Sequence, residues 1–359
     1  MIYNGNPQET GVKFGCYRTP NRFAVKTITT SKEKMKKMEN NTNIEFKNKL
    51  DILYSDDDTP ILNSVFSLSE FLKVINDYGK KTDRVYGYLY RGQRDATWRI
   101  TSSLTRTMMP PKDIYLENLK KGNIDYIALK DVVKNRRTDI FNAYNIFKSQ
   151  LPSYLSEVNS KEFLINSDIS ILLLAQHYGL PTRFIDLTLN PLISLYFAVC
   201  GSTPKTTAPA AVFVYDNENY LTGDEFSYAI ENIIKTPLQK ESVDSDFKRL
   251  GKLSSFKFRY ISTLKIDAIT GNICIEHYSF DKRMQSQECM FLFHNDIELP
   301  FIPQKQSALK KIIIENPYEI KVELMRIGFV ESRIYPSLSG LTKTLLERIV
   351  NNSFNFFLE

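Results

Sequence analysis

The chain has 359 residues, with 47 Lys and Arg against 41 Asp and Glu, and its net charge of +6 is mild for this length. Hydrophobic residues make up 42% of the chain, including 23 Phe and 20 Tyr, which is enough apolar surface for one large domain or two small ones. Extensive disorder is therefore excluded. Because dedicated DNA-binding domains carry a stronger and more clustered basic excess, this charge permits a nucleic-acid partner without requiring one.

Cysteine usage and the apolar segments exclude further classes. Four cysteines lie far apart and form no CxxC pair: Cys16, Cys200, Cys274 and Cys289. This argues against a structural zinc site or a disulfide scaffold and favours a reducing compartment. No secretory leader is visible at the N-terminus, and the longest apolar stretches, 169–175 and 191–200, are about half of the ~20 residues that a membrane span needs. The sequence therefore predicts a soluble cytoplasmic protein.

The first 65 residues differ from the rest and are predicted to form a charged N-terminal region or arm. Residues 26–49 are rich in Lys, Asn and Thr, and an acidic run follows at Asp56, Asp57 and Asp58. The lysines could face an acidic partner, although a solvated charged helix explains them more simply.

Residues 66–346 are predicted to form one α+β domain, followed by a tail at 347–359. A capping box, Ser67 with Glu70, begins the first helix, and Asn190 before Pro191 is typical of another helix start. We expect helices at 67–75, 168–178, 191–200, 317–327 and 338–349, strands at 86–91, 211–215, 289–293 and 311–314 with a pair around 271–272, and a helical insertion at 112–165. Because helices and strands do not alternate strictly, this order favours α+β over a doubly wound parallel sheet.

None of the motifs GxGxxG, GxxxxGK[ST], HExxH or GxSxG is present, so the candidates for chemistry are polar residues within apolar segments. The first set is Tyr90, Arg91, Gly92 and Gln93. An Arg at the end of an aromatic strand, beside a glycine that allows close approach, can pair with a phosphate bidentately. An Arg closing the strand on an internal carboxylate such as Asp186 explains the pattern equally well.

The second set lies within residues 172–198. In the extended stretch after the helix, Asp186 and Thr188 are predicted to point to one face, where they could hold a ligand or orient Arg91 or His177. A buried network that ties helix ends to the sheet is the alternative, and for His177 alone a helix cap is the simpler interpretation. Because His277 and His294 lack ligand spacing, no metal site is expected.

The third set precedes the predicted strand at 289–293. In the segment from Arg283 to Glu288, Gln287 or Glu288 lies where a side chain can reach a ribose hydroxyl, which matters for glycosyl chemistry at an anomeric carbon. An exposed polar turn is the simpler explanation from the pattern alone.

Three segments together resemble the FRG-domain family: Tyr-Arg-Gly-Gln with a downstream Trp and Ser-Leu-x-Arg at 90–106, Ala-Gln-His-Tyr-Gly-Leu-Pro-Thr-Arg-x-x-Asp-x-Thr-x-Asn-Pro-Leu at 175–192, and the Gln-rich turn at 285–287. The likeness extends over about residues 67–346. This sequence departs from the family at Leu187, where an aromatic is usual, and at Glu288-Cys289, where Gln-Gly is expected.

The order of the three sets is also similar to the Arg-Ser-Glu layout of ADP-ribosyltransferases, although Asp186 replaces the first hydroxyl of the second element. That resemblance implies a small split sheet, mixed or antiparallel, with helical insertions. It also implies NAD as co-substrate and a bacterial or phage toxin or defence effector. The acceptor would be RNA, DNA or protein, and an antitoxin or chaperone could be a further partner. The implied catalytic residues are Arg91, Gln287 and Glu288, and the implied cofactor-binding residues are Tyr90, Arg91, Gly92, Gln93, His177, Asp186, Thr188 and Tyr196. A non-catalytic module that binds a nucleotide or a partner protein is the alternative.

Overall fold

The structure is a computed structural model of the chain. It describes residues 41–81, 88–122, 124–154, 167–216, 220–222, 225–230, 232, 257–259, 261–266, 273–276 and 282–350. The chain divides into two compact units, Met1–Lys47 and Asn48–Glu359. Residues 41–47 of the first unit are helical, and the rest of the predicted arm up to residue 40 lies outside the described residues. The central sheet and the helices that pack on it belong to the second unit.

The second unit contains both helices and strands without strict alternation, as predicted. Its helices include α1 (Leu68–Lys81), α2 (Ser103–Met108), α3 (Lys112–Lys120), α4 (Tyr126–Tyr154), α5 (Asp168–His177), α6 (Pro191–Val199), α7 (Lys282–Ser286), α8 (Pro317–Arg326), α9 (Glu331–Ile334) and α10 (Leu338–Val350). Its strands are β1 (Ile61–Val65), β2 (Tyr88–Gln93), β3 (Phe184–Thr188), β4 (Ala210–Asp216), β5 (Tyr220–Thr222), β6 (Ile273–Glu276), β7 (Cys289–Phe293) and β8 (Leu309–Ile314).

The eight strands form one mixed sheet in the order β1-β8-β4-β2-β3-β7-β6-β5. The pairs β1–β8 and β5–β6 are parallel, and the other five pairs are antiparallel. At the centre, β2 pairs with β4 over six residues, whereas a single pair, Tyr90 with Thr188, joins β2 to β3. The two halves of the sheet therefore separate along most of the β2–β3 boundary, and we call this opening the split.

Apolar clusters cover both faces of the sheet. On one face, α1, α6 and α8 pack on the half that contains β1, β8, β4 and β2, while α4 and α5 pack on the half that contains β3, β7 and β6. On the other face, one cluster crosses both halves and includes Leu89, Leu187, Phe213 and Leu292. The helices of the first face therefore belong to two separate hydrophobic clusters, one on each half of the sheet, and the split lies between these clusters.

Local sequence signals explain several helix boundaries. Ser67 Oγ accepts the Glu70 N–H at 3.3 Å, although the Glu70 carboxylate reaches the N–H of Phe66 rather than that of Ser67. Asn190 Oδ1 accepts the Leu192 N–H at 3.0 Å, and Pro191 occupies the first turn of α6, as the sequence predicts.

The largest differences from the predicted elements lie near residue 65. Strand β1 pairs with β8, so the sheet-bearing unit begins upstream of the predicted boundary at 66. Helix α1 continues past residue 75 to Lys81, and the sheet is larger than expected. The predicted insertion contains α3 and α4, and the hairpin tip at 271–272 and most of the tail lie outside the described residues. Among the described residues, the structure contains no helix with the length and apolar character needed to cross a membrane.

Candidate active site

A cleft of about 780 Å³ follows the split, and we call it the split cleft. Strand β2, the end of β3, the start of α6, the turn before β7 and the residue after α9 all contribute to its wall. Its basic and acidic lining residues are Arg91, Arg94, Arg99, Arg106, Lys112, Arg283 and Asp186. Among the described residues, Asp186 is therefore the only carboxylate in a cleft with six cationic side chains, which suits an anionic ligand.

Arg91 lies in β2 at the mouth of the split. Its Nη1 donates to the main-chain oxygen of Asp186 at 2.7 Å and so bridges the two separated strands. Its Nε is buried and has no hydrogen-bond partner in the described part of the chain. Burial lowers the pKa of Arg91 to about 10, and the Asp186 carboxylate opposes this shift. Arg91 is thus a desolvated cation with an unused donor, which is a costly arrangement unless a ligand satisfies it.

Gly92 allows helix α6 to pack directly on β2. A Cβ at this position would lie 1.9 Å from the main-chain oxygen of Ser194 and 2.6 Å from the nitrogen of Ala198. Gly92, which the sequence suggested as a position of close approach, therefore allows the backbones of β2 and α6 to contact each other. This contact fixes the N-terminal half of α6, including the buried Ser194, against the cleft wall.

The long motif at 175–192 orients the carboxylate of Asp186. Gln176 Nε2 donates to Asp186 Oδ1 at 2.5 Å, and the Thr182 hydroxyl donates to Gln176 Oε1. Thr182 is in turn fixed because its N–H donates to Ser103 Oγ at 2.9 Å and its carbonyl accepts the Leu104 N–H at 2.9 Å. The chain from Thr182 to Gln176 to Asp186 leaves Oδ2 of Asp186 with no hydrogen bond in the described residues.

The electrostatic environment of Asp186 combines desolvation with several cations. The Asp186 side chain is exposed to the cleft, and the walls of the cleft reduce its hydration. Desolvation raises the pKa of the Asp186 carboxyl, whereas Arg91 and the Gln176 hydrogen bond lower it. Because desolvation is the largest effect, Asp186 takes up a proton more readily than an ordinary surface carboxylate.

Arg183, in the same motif, lies under the sheet and not in the cleft. It is fully buried and donates to the carbonyls of Leu264 at 2.6 Å, His294 at 3.0 Å and Asn295 at 2.6 Å. Its guanidinium also lies over the Phe293 ring, 4.0 Å from the centroid. Burial lowers the pKa of Arg183 to about 9. We call this arrangement the Arg183 tie, since it joins the start of β3 to the loop after β7.

The turn before β7 presents Gln287 to the cleft and directs Glu288 elsewhere. Gln287 lines the cleft, where its Nε2 donates to the Ile334 carbonyl at 3.3 Å. Glu288 has a positive φ of 46° and is not part of the cleft lining; its Oε1 accepts from Asn190 Nδ2 at 2.9 Å. Thr188 also lines the cleft, but its hydroxyl donates to the Gln287 carbonyl at 2.8 Å and accepts the Asn190 N–H at 3.1 Å. Its main role in this geometry is to position the turn.

The remaining predicted site residues divide between the cleft and other surroundings. Tyr90 and Gln93 line the cleft, and burial raises the pKa of Tyr90 to about 12. Tyr196 instead points into the core beneath α6, where its hydroxyl donates to Glu331. His177 lines a neighbouring cleft and contacts the ring of Tyr178 edge-on. The structure therefore does not bring Tyr196 or His177 to the split cleft.

Among the cleft residues that were not predicted site residues, four carry groups suited to a ligand. Arg106 projects from α2, and its Nη1 donates to the Thr101 carbonyl at 2.6 Å. Phe197 and Tyr335 form an aromatic wall with ring centroids 6.4 Å apart, and Arg283 lies over Tyr335 at 4.7 Å. Arg106 and Arg283 fall in segments that carry candidate residues, but no local pattern indicated that their side chains would converge with this wall.

The fold and the cleft define an α+β protein with a basic, partly aromatic cleft at a split in its central sheet. Residues 86–207 match the family model of the FRG domain, so the chain carries an FRG domain, as the sequence resemblance indicated. The match includes β2, β3 and α6 but ends before the turn that carries Gln287. Searches of curated proteins and of solved structures found no match. Within the described residues, no three His, Cys, Asp or Glu side chains converge in a way that would hold a metal ion.

Proposed function

We propose that the split cleft binds NAD and that the protein transfers ADP-ribose from NAD to an acceptor. The observation that carries this proposal is the convergence of Arg91, Asp186 and Gln287, which are distant in sequence, on one basic cleft with an aromatic wall. A dinucleotide offers what this lining can bind, namely two anionic phosphates, ribose hydroxyls and planar rings.

Different side chains of the cleft can bind different parts of NAD. Arg91 has an unsatisfied buried Nε, and Arg106 has a guanidinium held in place by Thr101; both can donate to the pyrophosphate. Phe197 and Tyr335 supply a face on which the nicotinamide can stack. Gln287 can bind a hydroxyl of the nicotinamide ribose with its amide in place of the Ile334 contact.

Asp186 supplies the charge that Gln287 lacks. In the proposed reaction the bond between ribose C1′ and the nicotinamide nitrogen breaks, and its electron pair leaves with neutral nicotinamide. A lone pair of the acceptor forms the new bond to C1′, and the acceptor proton passes to Oδ2 of Asp186. The raised pKa of Asp186 and the fixed Oδ1 suit this role, because the carboxylate is oriented before the acceptor binds.

Nicotinamide release and transfer of label test this proposal. The purified protein is incubated with radiolabelled NAD and with total cellular RNA, DNA or protein, and with water alone as acceptor. We expect NAD loss and labelling of one acceptor class, a fall of about 100-fold or more for Asp186→Asn, and a similar fall for Arg91→Met. Asp131→Asn is the matched control, because Asp131 is an exposed residue of α4 outside both clefts. Wild-type protein that neither consumes NAD nor labels any acceptor contradicts the transferase.

A second candidate function is nucleotide binding without transfer. It is favoured by the position of Glu288, whose carboxylate contacts Asn190 outside the cleft lining, while the uncharged Gln287 faces the ligand space. Isothermal titration with NAD separates the two functions. Binding that Arg91→Met abolishes, without any nicotinamide release, would support the binding module.

The setting as a toxin or defence effector is part of the same proposal. Controlled expression in bacterial cells tests it, with growth as the readout. We expect wild-type protein to slow growth and both Asp186→Asn and Arg91→Met to relieve that effect. Equal growth with wild-type and variant proteins would argue against toxicity.

A further inference from the structure

A second cleft of about 1040 Å³ adjoins the split cleft, and we call it the outer cleft. Arg94, Arg283 and Tyr335 line both clefts, so the two spaces share one wall. The outer cleft continues along the end of α5, the start of α7 and one side of α10. An acceptor lying in it would therefore approach the proposed reaction centre from outside.

The charges of the outer cleft are only partly balanced. Lys343 pairs with Glu331 at 3.0 Å, and Glu347 pairs with Lys321 at 2.9 Å, so these charges compensate one another. Three other cations form no ion pair within the described residues: Arg94, Lys282 and Arg283. The cleft thus retains an uncompensated positive charge beside the proposed NAD site.

The position of Arg94 depends on neutral neighbours. Its guanidinium lies over Gly201, where a Cβ would approach the guanidinium carbon to 2.8 Å, and its Nη2 donates to Cys200 Sγ at 3.8 Å. Arg283 is likewise held over the Tyr335 ring. Both guanidinium groups are therefore positioned by groups that leave their charge available for a ligand.

One exposed aromatic side chain lies in the split cleft, and another follows a residue that lines the outer cleft. Trp98 lines the split cleft and is 52% exposed, and Tyr178 follows His177 and is 61% exposed. Arginines for phosphates together with aromatic rings for unpaired bases are the combination that single-stranded nucleic acids need. An acidic protein segment would use the cations but would leave the aromatic rings without a specific partner.

We propose that the outer cleft binds a single-stranded nucleic acid through Arg94, Lys282 and Arg283 and presents it as the acceptor to the split cleft. The acceptor role rests on the proposed transferase function. Binding of the nucleic acid itself requires no NAD, so the two proposals can fail separately.

The test measures fluorescence anisotropy of a labelled 12-nucleotide single strand, as RNA and as DNA, without NAD and over a range of salt concentrations. We expect the variant with Arg94→Gln, Lys282→Gln and Arg283→Gln to bind about 10-fold or more weakly than wild type. The slope of log affinity against log salt should fall by about 2, since each phosphate contact on a single strand contributes about 0.7. The matched control changes three exposed lysines outside both clefts, Lys73→Gln, Lys120→Gln and Lys134→Gln, and should bind within about twofold of wild type.

Three results would overturn the proposal. They are wild-type protein that binds neither strand, a cleft variant that binds as well as the control variant, and radiolabel transferred from NAD only to a protease-sensitive product. In each case nicotinamide release by wild-type protein still reports on the transferase separately. Circular dichroism of each variant shows whether a lost affinity comes from unfolding.

Discussion

Two arginines withdrawn from bulk water, Arg183 and Arg91, occupy contrasting regions of the molecule. In the Arg183 tie, three carbonyls and an aromatic face surround the guanidinium, and no space is left for a ligand. At the split cleft, Arg91 donates to the main-chain oxygen of Asp186, and its buried Nε has no partner in the described residues. A desolvated cation with its donors satisfied holds a fold together, whereas one with an unused donor facing a cleft is available for an anion.

The largest expected effect on the free energy of unfolding is that of replacing Arg183. Arg183→Met leaves one buried and two partly buried carbonyls without their donor, so we expect a loss of about 4 kcal/mol in the free energy of unfolding, measured by urea denaturation. Arg326→Met is the control, since Arg326 lies at the end of α8 away from both clefts, and it should change stability by less than about 0.5 kcal/mol. Equal effects of the two substitutions would mean that the tie contributes little.

The next largest effect lies on the cleft side, at Gly92. An added Cβ would meet the backbone of α6, which cannot move aside as a flexible side chain would, so Gly92→Ala should cost roughly 3 kcal/mol. Gly122→Ala separates crowding from backbone conformation: Gly122 has a φ of 67°, but a Cβ added there would meet no atom within 4 Å, and about 1 kcal/mol is expected. Urea denaturation measures both. A smaller cost for Gly92→Ala than for Gly122→Ala would contradict the close packing of α6 on β2.

The sequence predicted more of the fold than of the site. Strand period and caps indicated β2, β7, α5 and α6 to within a few residues, because apolar spacing and Asn190-Pro191 act locally. The same period placed Asp186 and Thr188 on one face. These elements are defined by neighbours in the chain, so one sequence suffices to find them.

The side chains that complete the site depend on contacts between distant segments. The choice between Gln287 and Glu288 follows from a positive φ at Glu288, which adjacent residues do not dictate. The resemblance implied that Tyr196 binds the cofactor, but its hydroxyl donates to Glu331, and the neighbouring Phe197 lines the cleft instead. The role of Arg183 likewise depends on carbonyls 81 to 112 positions away, which no local pattern encodes.

Asp186 carries the negative charge that opposes the positive charge of Arg91. Replacing Asp186 tests the comparison through the pH dependence of the free energy of unfolding. Its folded-state pKa is raised above the ordinary value of 3.8, so the native state holds the proton more tightly than the unfolded chain does. Stability from this group is present below pH 3.8 and is lost as pH rises through the folded-state pKa. We therefore expect Asp186→Asn to be more stable than wild type at about pH 7, with the difference vanishing near about pH 3.

Urea denaturation across this range measures the difference, and Asp131→Asn again serves as the control, because its carboxylate is exposed. An Asp186→Asn protein that is less stable than wild type at neutral pH would show that the cations, not desolvation, dominate the environment of this carboxylate. An Asp186→Asn protein that is more stable than wild type but no longer releases nicotinamide would show that the Asp186 carboxylate supports the reaction and lowers the stability of the fold.

The smallest effect on stability is expected for Arg91→Met. This change removes a desolvated cation with an unused donor and fills the space with an apolar chain of similar length, so the free energy of unfolding should change by less than about 1 kcal/mol. The Asp186 carboxylate retains Arg106 and Arg283 nearby, which limits the cost of losing one positive charge. Isothermal titration should nevertheless show loss of NAD binding. A destabilisation as large as that of Arg183→Met would make Arg91 a second structural tie, because only a cation that the fold itself requires costs that much to remove.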